Sequence, residues 1–383
     1  MDTVKLSADE RHARQLARLN DILGDRGTLS SLDDLAALPV SRKSDLFTQQ
    51  MANLPFGNHS PKNVTHIYQS PGPIYEPGLS SNFWRFDRFL TAIGLSAADV
   101  VQNTFSYHFT PAGAMFEDAA RRIGATVVPT GPGSSRQQAE VAAATGVTTY
   151  AGTPDFLQRI LETGDSEGFD LGRISTAAVC AGPLFPQQRQ YYADRDILCR
   201  QCYGTADVGL IAYETTDYTD GMFVDDDVIV EIVSPGTGQV LPKGEIGEVV
   251  VTVLSSDLPI VRFSVGDLSA LATDEIGDSQ PRIVGWRGRA DQATKVKGMF
   301  IRPEQVSSIV NRTDGIERAR VEVSFDGKGD QIDVKLESNA AEASVFEGIV
   351  KETLKLRANV TVVPVGSLPR DGILVADLRA PTQ

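Results

Sequence analysis

An alternation of short strands and helices between residues 100 and 203 constrains the fold of this chain most. β-Branched runs predict strands at 100–105, 125–128, 147–151, 176–180 and 197–203, and helical segments separate them at 113–123, 135–144, 154–163 and 186–193. Such an alternation builds a mostly parallel sheet with helices on both faces. Ligands of these sheets bind at the carboxyl ends of the strands. The segments 180–183 and 202–205 follow two strands, and they are either ligand-binding turns or plain strand-to-helix turns.

The flanking segments have other patterns. An amphipathic helix is predicted over 8–23, a short helix over 31–39, an irregular Gly/Pro-rich loop over 70–78 and a helix over 83–93. Antiparallel strands are predicted at 228–233 and 246–254, and a small α+β unit follows residue 298. The predicted fold class is therefore α/β. It comprises a large domain at 1–290, with mostly parallel sheets and a β-rich part at about 211–284, and a small mobile α+β C-terminal domain at 291–383.

The charge balance restricts the partners. The formal net charge is −14 and the pI is about 4.8, whereas nucleic acids and anionic membranes require a broad basic face. No apolar run approaches the roughly 18 to 20 residues of a spanning helix, and the first residues lack the apolar core of a signal peptide. We expect a cytoplasmic protein that binds neither nucleic acid nor membrane.

The three cysteines are Cys180, Cys199 and Cys202. The last two form a C-x-x-C pair, which is half of a zinc site, a redox pair, or two thiols on a buried strand. No second pair exists, and the four histidines lie far upstream in the sequence. We favour the buried strand.

A basic stretch stands out in this acidic chain. Its local field suits a small polyanion such as a nucleotide. Asp267 can accept hydrogen bonds from ribose hydroxyls, Tyr203 can stack on a purine, and Asp207 can hold a magnesium ion. Each also has a structural alternative: Asp267 as a turn cap, Tyr203 as a core residue, and Asp207 as an exposed acid at a helix N-terminus. The cations of the stretch are Arg282, Arg287, Arg289, Lys295, Lys297 and Arg302.

Four ordered motifs resemble the adenylate-forming superfamily, and within it the phenylacetate–CoA ligase group. The resemblance extends to the segments 35–46 and 149–156 and to Gly366-Ser-Leu-Pro-Arg370, so it spans almost the whole chain. The motifs are Cys202-Tyr-Gly-Thr-Ala-Asp207, Arg262-Phe-Ser-Val-Gly-Asp267, Gly288-Arg-Ala-Asp291 and Lys297-Gly-Met-Phe-Ile-Arg-Pro-Glu304.

The resemblance implies an enzyme that activates a small carboxylic acid with ATP and Mg²⁺ to an acyl-adenylate. The acyl group then passes to the thiol of coenzyme A or of an acyl carrier protein, and many relatives are homodimers. In that family pattern Ala181, Gly182, Pro183, Tyr203 and Gly204 would line the adenine site, and Asp267 and Arg289 would hold the ribose. Asp207 would face the metal, Asp291 would be the hinge, Lys297 and Gly298 would face the thioester reaction, and Tyr107, His108 and Phe109 would border the acyl pocket.

Two departures from the family pattern concern ATP. The phosphate loop of the family is rich in Ser, Thr and Gly, but here it reads Ser70-Pro-Gly-Pro-Ile-Tyr-Glu-Pro77. Its prolines lack N–H donors, and Glu76 is expected to add negative charge near a triphosphate. The catalytic lysine expected near the C-terminus is replaced by Ile373 or Leu374.

Three hypotheses follow from these departures. The chain is an acyl-CoA ligase-like enzyme with impaired or atypical adenylation, acting on an aromatic or short acid. Alternatively, it is an ATP-independent acyltransferase or thioester-processing enzyme that moves acyl groups between thiols. The third hypothesis is a non-catalytic binding protein derived from a ligase.

Overall fold

The computed structural model describes residues 7–70, 74–234, 237–274, 280–287, 290, 294–297, 299–301, 303–327, 329–339, 342–369 and 373–379. The chain divides into two units. The larger comprises residues 1–265 and 269–285, and the smaller comprises 266–268 and 286–383.

Helices occur in both units. Seven of the described helices lie in the larger unit and two in the smaller. The helices are α1 Ala8–Leu23, α2 Lys43–Ala52, α3 Phe86–Ala92, α4 Ala112–Ile123, α5 Ser135–Thr145, α6 Pro154–Glu167, α7 Pro186–Ala193, α8 Pro303–Asn311 and α9 Ser344–Leu354. The 3₁₀ turns are Gly24–Arg26 and Asp33–Ala37.

The strands up to β14 start in the larger unit. They are β1 Ser41–Arg42, β2 Val64–Ser70, β3 Ile74–Leu79, β4 Val100–Asn103, β5 Thr126–Pro129, β6 Thr149–Gly152, β7 Thr176–Val179, β8 Leu198–Thr205, β9 Gly209–Tyr213, β10 Met222–Val224, β11 Val228–Val233, β12 Gly247–Val253, β13 Ile260–Ser269 and β14 Arg282–Ile283. Those of the smaller unit are β15 Thr294–Val296, β16 Met299–Ile301, β17 Ile316–Phe325, β18 Asp330–Ser338, β19 Asn359–Val363 and β20 Val375–Asp377.

The central sheet of the larger unit has eight strands in the order β14-β10-β9-β8-β7-β6-β4-β5. Strands β5, β4, β6, β7 and β8 run parallel, as the alternation predicted, and β9, β10 and β14 continue the sheet antiparallel. Strands β4, β6 and β7 are largely buried, as in a parallel sheet covered on both faces, whereas the edge strand β5 is partly exposed. Their carboxyl ends meet at one edge, which places the segments after β7 and β8 side by side.

A second sheet of the larger unit has the order β1-β13-β12-β11. All seven residues of β12 are buried, so this sheet also contributes to the core. Helix α1 begins at the N-cap Ser7, whose hydroxyl accepts a hydrogen bond from the backbone of Glu10. Its arginines Arg11 and Arg14 form ion pairs with Asp226 and Asp227 beside β11.

The expectation of an irregular loop over 70–78 is wrong. Strands β2 and β3 form an antiparallel hairpin with Ser70 opposite Ile74, and only residues 71–73, which lie outside the described part, separate them. The hairpin escaped prediction because the first residues of β2 are exposed on both faces, so its sequence lacks the alternation of a half-buried strand. Gln50 of α2 fixes β3 by bonding both the N–H and the C=O of Tyr75 at 2.8 Å.

The smaller unit is an α+β sandwich with a core of its own. Its main sheet has the order β19-β18-β17-β20, and β15 and β16 form a separate hairpin. Val306 of α8 and Phe346 of α9 are buried in the same apolar cluster as Val321 and Val334 of the sheet. Strand β20 was not predicted, since only three of its residues pair with β17.

None of the helices within the described ranges is long and apolar enough to cross a membrane.

Candidate active site

The ends of β7 and β8 carry the segments that the sequence analysis singled out. The two strands pair in parallel up to Val179 and Gln201. Beyond them, Ala181 adopts a positive φ of 61° and is exposed together with Pro183, while Gly182 is half-buried. Tyr203 is half-buried and packs against the main core. An exposed loop after β7 and an aromatic side chain near the end of β8 thus lie at the edge where ligands of such sheets bind.

The turn between β8 and β9, at residues 206–208, presents Asp207. The pairing of these strands is irregular at Tyr203 and Gly204. A Cβ on Gly204 would lie 2.7 Å from the carbonyl oxygen of Gly209, so only glycine fits this close approach. Asp207 does not begin a helix and its side chain is only 6% exposed, which contradicts the alternative of an exposed acid at a helix N-terminus.

Asp207 belongs to a cluster of three charged groups from distant parts of the chain. The Nζ atom of Lys43, in the first turn of α2, donates to Oδ2 of Asp207 at 2.9 Å and lies 3.9 Å from Oε1 of Glu76 on β3. The side chain of Glu76 is only 4% exposed, and the hydroxyl of Ser70 donates to its Oε2 at 2.5 Å. Among the described residues, Oε1 of Glu76 and Oδ1 of Asp207 are buried without a hydrogen-bond partner.

Burial controls the charge of Glu76. It raises the pKa of this carboxyl to about 8, and repulsion from Asp207 adds to the shift, while Lys43 and Ser70 oppose it. Glu76 is consequently mostly protonated at neutral pH. This protonation opposes the expectation that the residue places a negative charge near a triphosphate, and that expectation stays a prediction.

The cluster borders an open pocket within the larger unit. Gln50, Tyr75 and His59 add polar groups to its wall, and Glu76 and Asp207 line it as well. Burial lowers the pKa of His59, so its imidazole is neutral at pH 7. The apolar wall consists of Leu46, Phe56, Phe83, Leu258, Ile260 and Phe263.

The segment after β4 carries Tyr107, His108 and Phe109, and all three side chains are exposed. The amide of Asn103 donates to the Tyr107 hydroxyl at 2.8 Å, and the rings of His108 and Phe109 lie edge to face with centroids 4.5 Å apart. The carbonyl of Phe109 accepts from the backbone of Gln69 in β2. This anchors the segment beside the hairpin.

Within the smaller unit, Asp267 is 7% exposed. Its Oδ1 accepts a hydrogen bond from the indole N–H of Trp286 at 3.1 Å. Lys297 follows β15 and is exposed, with a positive φ of 49°. Arg289, Asp291 and Gly298 lie outside the described residues.

Two arginines near these motifs are structural. Arg282, counted in the basic stretch, is 4% exposed and pairs with Asp274, so it does not belong to an accessible anion site. Arg262 is 2% exposed, pairs with Glu231 and donates to the carbonyls of Ala36 and Gly238. A buried guanidinium with these partners holds segments together and is not accessible to a ligand.

The cysteines lie where the buried-strand interpretation puts them. All three are buried free thiols, and Cys199 and Cys202 lie on β8. Burial raises the pKa of Cys199 to about 12 and that of Cys202 well above the ordinary value, which keeps these thiols protonated and unreactive.

Apolar residues occupy the C-terminal positions where the family pattern requires a lysine. Ile373 is 38% exposed, and its carbonyl accepts a hydrogen bond from Arg320. Leu374 packs against the core of the smaller unit.

Sequence reasoning missed Lys43 as a site residue. It lies within the segment 35–46 that resembles the family, but a lysine in a first helical turn gives no periodic or motif signal that distinguishes it from a solvated cation. Its contacts with residues 76 and 207 are apparent only in the folded chain.

Comparisons with known proteins find similar enzymes. Residues 78–253 match the family of AMP-binding enzymes. A phenylacetate-coenzyme A ligase of Aromatoleum evansii is 28% identical over 329 residues, which cover 81% of this chain and 74% of that protein. A ligase of the same name from Thermus thermophilus is 25% identical and covers 92% and 88%, respectively. The crystal structure of 2-hydroxyisobutyryl-CoA ligase with 2-HIB-AMP and CoA matches with a TM-score of 0.81 at 21% identity, over 98% of this chain and 91% of that one.

The chain has the fold of 2-hydroxyisobutyryl-CoA ligase, and its match to the AMP-binding enzymes over residues 78–253 makes it similar to the adenylate-forming superfamily. Within the superfamily it is phenylacetate–CoA ligase-like, an enzyme of the acid–thiol ligase kind.

Proposed function

We propose that this protein transfers an aromatic or short acyl group to the thiol of coenzyme A or of a carrier-protein arm, and that its ATP-dependent adenylation is impaired. The ion pair between Lys43 and Asp207 carries the proposal. Asp207 occupies the metal-facing position of the family pattern, and here an ammonium group of the protein already compensates its charge.

The residues present do not fit a magnesium ion well. One oxygen of Asp207 accepts from Lys43, and the neighbouring Glu76 is mostly protonated at neutral pH because burial raises its pKa to about 8. A hard dication prefers several ionised oxygen ligands, whereas Asp207 already shares its charge with Lys43 and Glu76 holds its proton.

Other positions support binding of a nucleotide or an acyl-adenylate. The exposed loop with Ala181, Gly182 and Pro183 is proposed to contact adenine, with Tyr203 and Gly204 on the neighbouring strand. Asp267 and Arg289 are proposed to hold the ribose, and Asp291 to be the hinge of a mobile C-terminal domain. Lys297 and Gly298 would then face the thioester reaction, and Tyr107, His108 and Phe109 the acyl group.

ATP-independent acyl exchange between thiols is the second candidate. It is favoured by the apolar character of Ile373 and Leu374, because removal of one cation that contacts the transition state costs on the order of 10²–10³ in rate. Acyl transfer between thioesters involves no α-phosphate, so it does not need the cation that contacts this group during adenylation.

Two measurements test these candidates. Calorimetric titration is expected to show binding of AMP and coenzyme A, but weak binding of ATP with Mg²⁺. Release of pyrophosphate from ATP with phenylacetate or 2-hydroxyisobutyrate should be slow, and Ile373→Lys should accelerate it. Val365→Lys is the matched control, because Val365 is a similarly exposed apolar residue of the same unit.

Tight binding of ATP with Mg²⁺ and rapid pyrophosphate release by the unaltered chain would contradict impaired adenylation. Exchange of phenylacetyl groups between coenzyme A and pantetheine without nucleotide would support the second candidate. Failure to bind AMP, ATP and coenzyme A would contradict both.

A further inference from the structure

The pocket beside Lys43, Glu76 and Asp207 combines an apolar wall with buried acceptors that lack partners. Oε1 of Glu76 and Oδ1 of Asp207 are both buried without a hydrogen-bond partner among the described residues, and both residues line the pocket. A buried polar atom that lacks a hydrogen-bond partner is unfavourable. A ligand that brings donors to this wall would recover that free energy.

The charges of the cluster indicate which donor fits best. It contains two carboxyl groups but only one cation, Lys43, whose Nζ lies closer to Asp207 than to Glu76. The second carboxyl therefore avoids a net negative charge by holding its proton. A second cation placed against Glu76 would replace that proton, because opposite charge favours the ionised carboxylate.

We propose that this pocket binds a small molecule with an aromatic or branched aliphatic body and a primary ammonium head. The body would pack against Phe56, Phe83 and Phe263 on the apolar wall. The head would donate to Glu76 and Asp207, completing an alternating arrangement of two cations and two carboxylates with Lys43. The net charge of −14 also favours a cationic ligand.

An ammonium ligand suits the pocket better than an acid or an alcohol of the same size. A carboxylate head would bring a third acidic group against Asp207, and it could satisfy only the protonated carboxyl of Glu76 and not Oδ1 of Asp207. A hydroxyl head can donate only one hydrogen bond, whereas an ammonium donates three. The amine site goes beyond the proposed acyl transfer and depends on neither nucleotide nor coenzyme A.

Isothermal titration with 2-phenylethylamine, 2-phenylethanol and phenylacetate tests the proposal on the full chain without nucleotide or coenzyme A. The amine is expected to bind at least about tenfold more tightly than the other two at pH 7, where one tenfold step corresponds to about 1.4 kcal/mol. Titration in two buffers of different ionisation enthalpy should show close to one proton released per amine bound, because Glu76 ionises.

Three variants assign the effect to the pocket. Glu76→Gln keeps the shape of the side chain but has no acid to ionise, so the tight binding and the proton release should both disappear. Leu258→Phe keeps the carboxyl groups and reduces the volume, so the amine should bind more weakly. Glu140→Gln, on the exposed face of α5, is the matched control and should bind like the unaltered chain.

Equal binding of the three ligands, or amine binding that survives Glu76→Gln with its proton release, would overturn the proposal. Circular dichroism and thermal unfolding show whether each variant is folded. If Glu76→Gln does not fold, Asp207→Asn is the second variant: it removes the other carboxylate and should also weaken amine binding. Because nucleotide and coenzyme A are absent, a negative result leaves the acyl-transfer proposal untouched.

Discussion

Glu76 shows how one residue changes its chemistry when the chain folds. In the sequence it is an acid among prolines, whereas in the structure it is nearly inaccessible and faces a second carboxyl group. Removing a carboxylate from water favours its protonated form. The residue therefore acts as a buried neutral donor and acceptor at neutral pH, which a surface glutamate cannot do.

This shift makes stability depend on pH in a defined direction. The pKa of Glu76 is about 8 in the folded chain against an ordinary value of 4.5, so the folded state binds the extra proton between these values. The contribution is fully present below about pH 4.5 and is lost as the pH rises towards 8, by up to about 1.4 kcal/mol per pH unit. Urea unfolding of Glu76→Gln should lack this slope.

Glu140→Gln is the control for that comparison. Glu140 is exposed, so its replacement should leave the pH dependence of the free energy of unfolding unchanged. An identical pH dependence in Glu76→Gln and in the unaltered chain would show that Glu76 titrates normally.

The β8–β9 connection is the element that positions the candidate site. Trp84 donates to the carbonyl of Ala206 at 3.2 Å, and Arg85 donates to the carbonyls of Val208 and Leu210. These bonds fix the turn that carries Asp207 against the start of α3. The strand thus ends in a rigid turn, and a rigid turn is a suitable support for a binding group.

Gly209 permits this connection, and replacing it should be costly. Its φ is +74°, and a Cβ would lie 2.8 Å from backbone atoms of Trp84. We expect Gly209→Ala to lower the free energy of unfolding by at least about 1–3 kcal/mol. Gly348→Ala is the matched comparison, because Gly348 lies exposed within α9 with nothing within 4 Å of its Cβ position.

Gly348→Ala should raise the free energy of unfolding by roughly 0.5–1 kcal/mol, because alanine favours the helical conformation more than glycine does. Urea denaturation measures both changes. If Gly209→Ala were as stable as the unaltered chain, the turn would have to relax more readily than its contacts with Trp84 imply.

At the scale of the whole molecule, the two units have separate hydrophobic cores. The cluster with Val306, Val321, Val334 and Phe346 lies entirely in the smaller unit, and the other clusters lie in the larger. A unit with its own core can unfold on its own.

Scanning calorimetry is therefore expected to resolve two unfolding transitions. Gly348→Ala should raise the midpoint of one transition only, and Gly209→Ala should lower the midpoint of the other. A single transition that both variants shift would show that the two units unfold as one cooperative body.

The sequence by itself determined the parallel sheet, the antiparallel extension and the small α+β unit. Those features follow from the local period of apolar residues, which neighbouring positions encode. It also determined the ends of β7 and β8 as candidate ligand loops, because parallel strands align their carboxyl ends.

Only the tertiary structure decided the β2–β3 hairpin, the burial of Arg282 and the cluster of Lys43, Glu76 and Asp207. Residues 43, 76 and 207 are far apart in the sequence, and no local pattern specifies which side chains meet. The charge of Glu76 depends on these tertiary contacts, because the pKa of a carboxyl group is determined by its burial and by the charges around it.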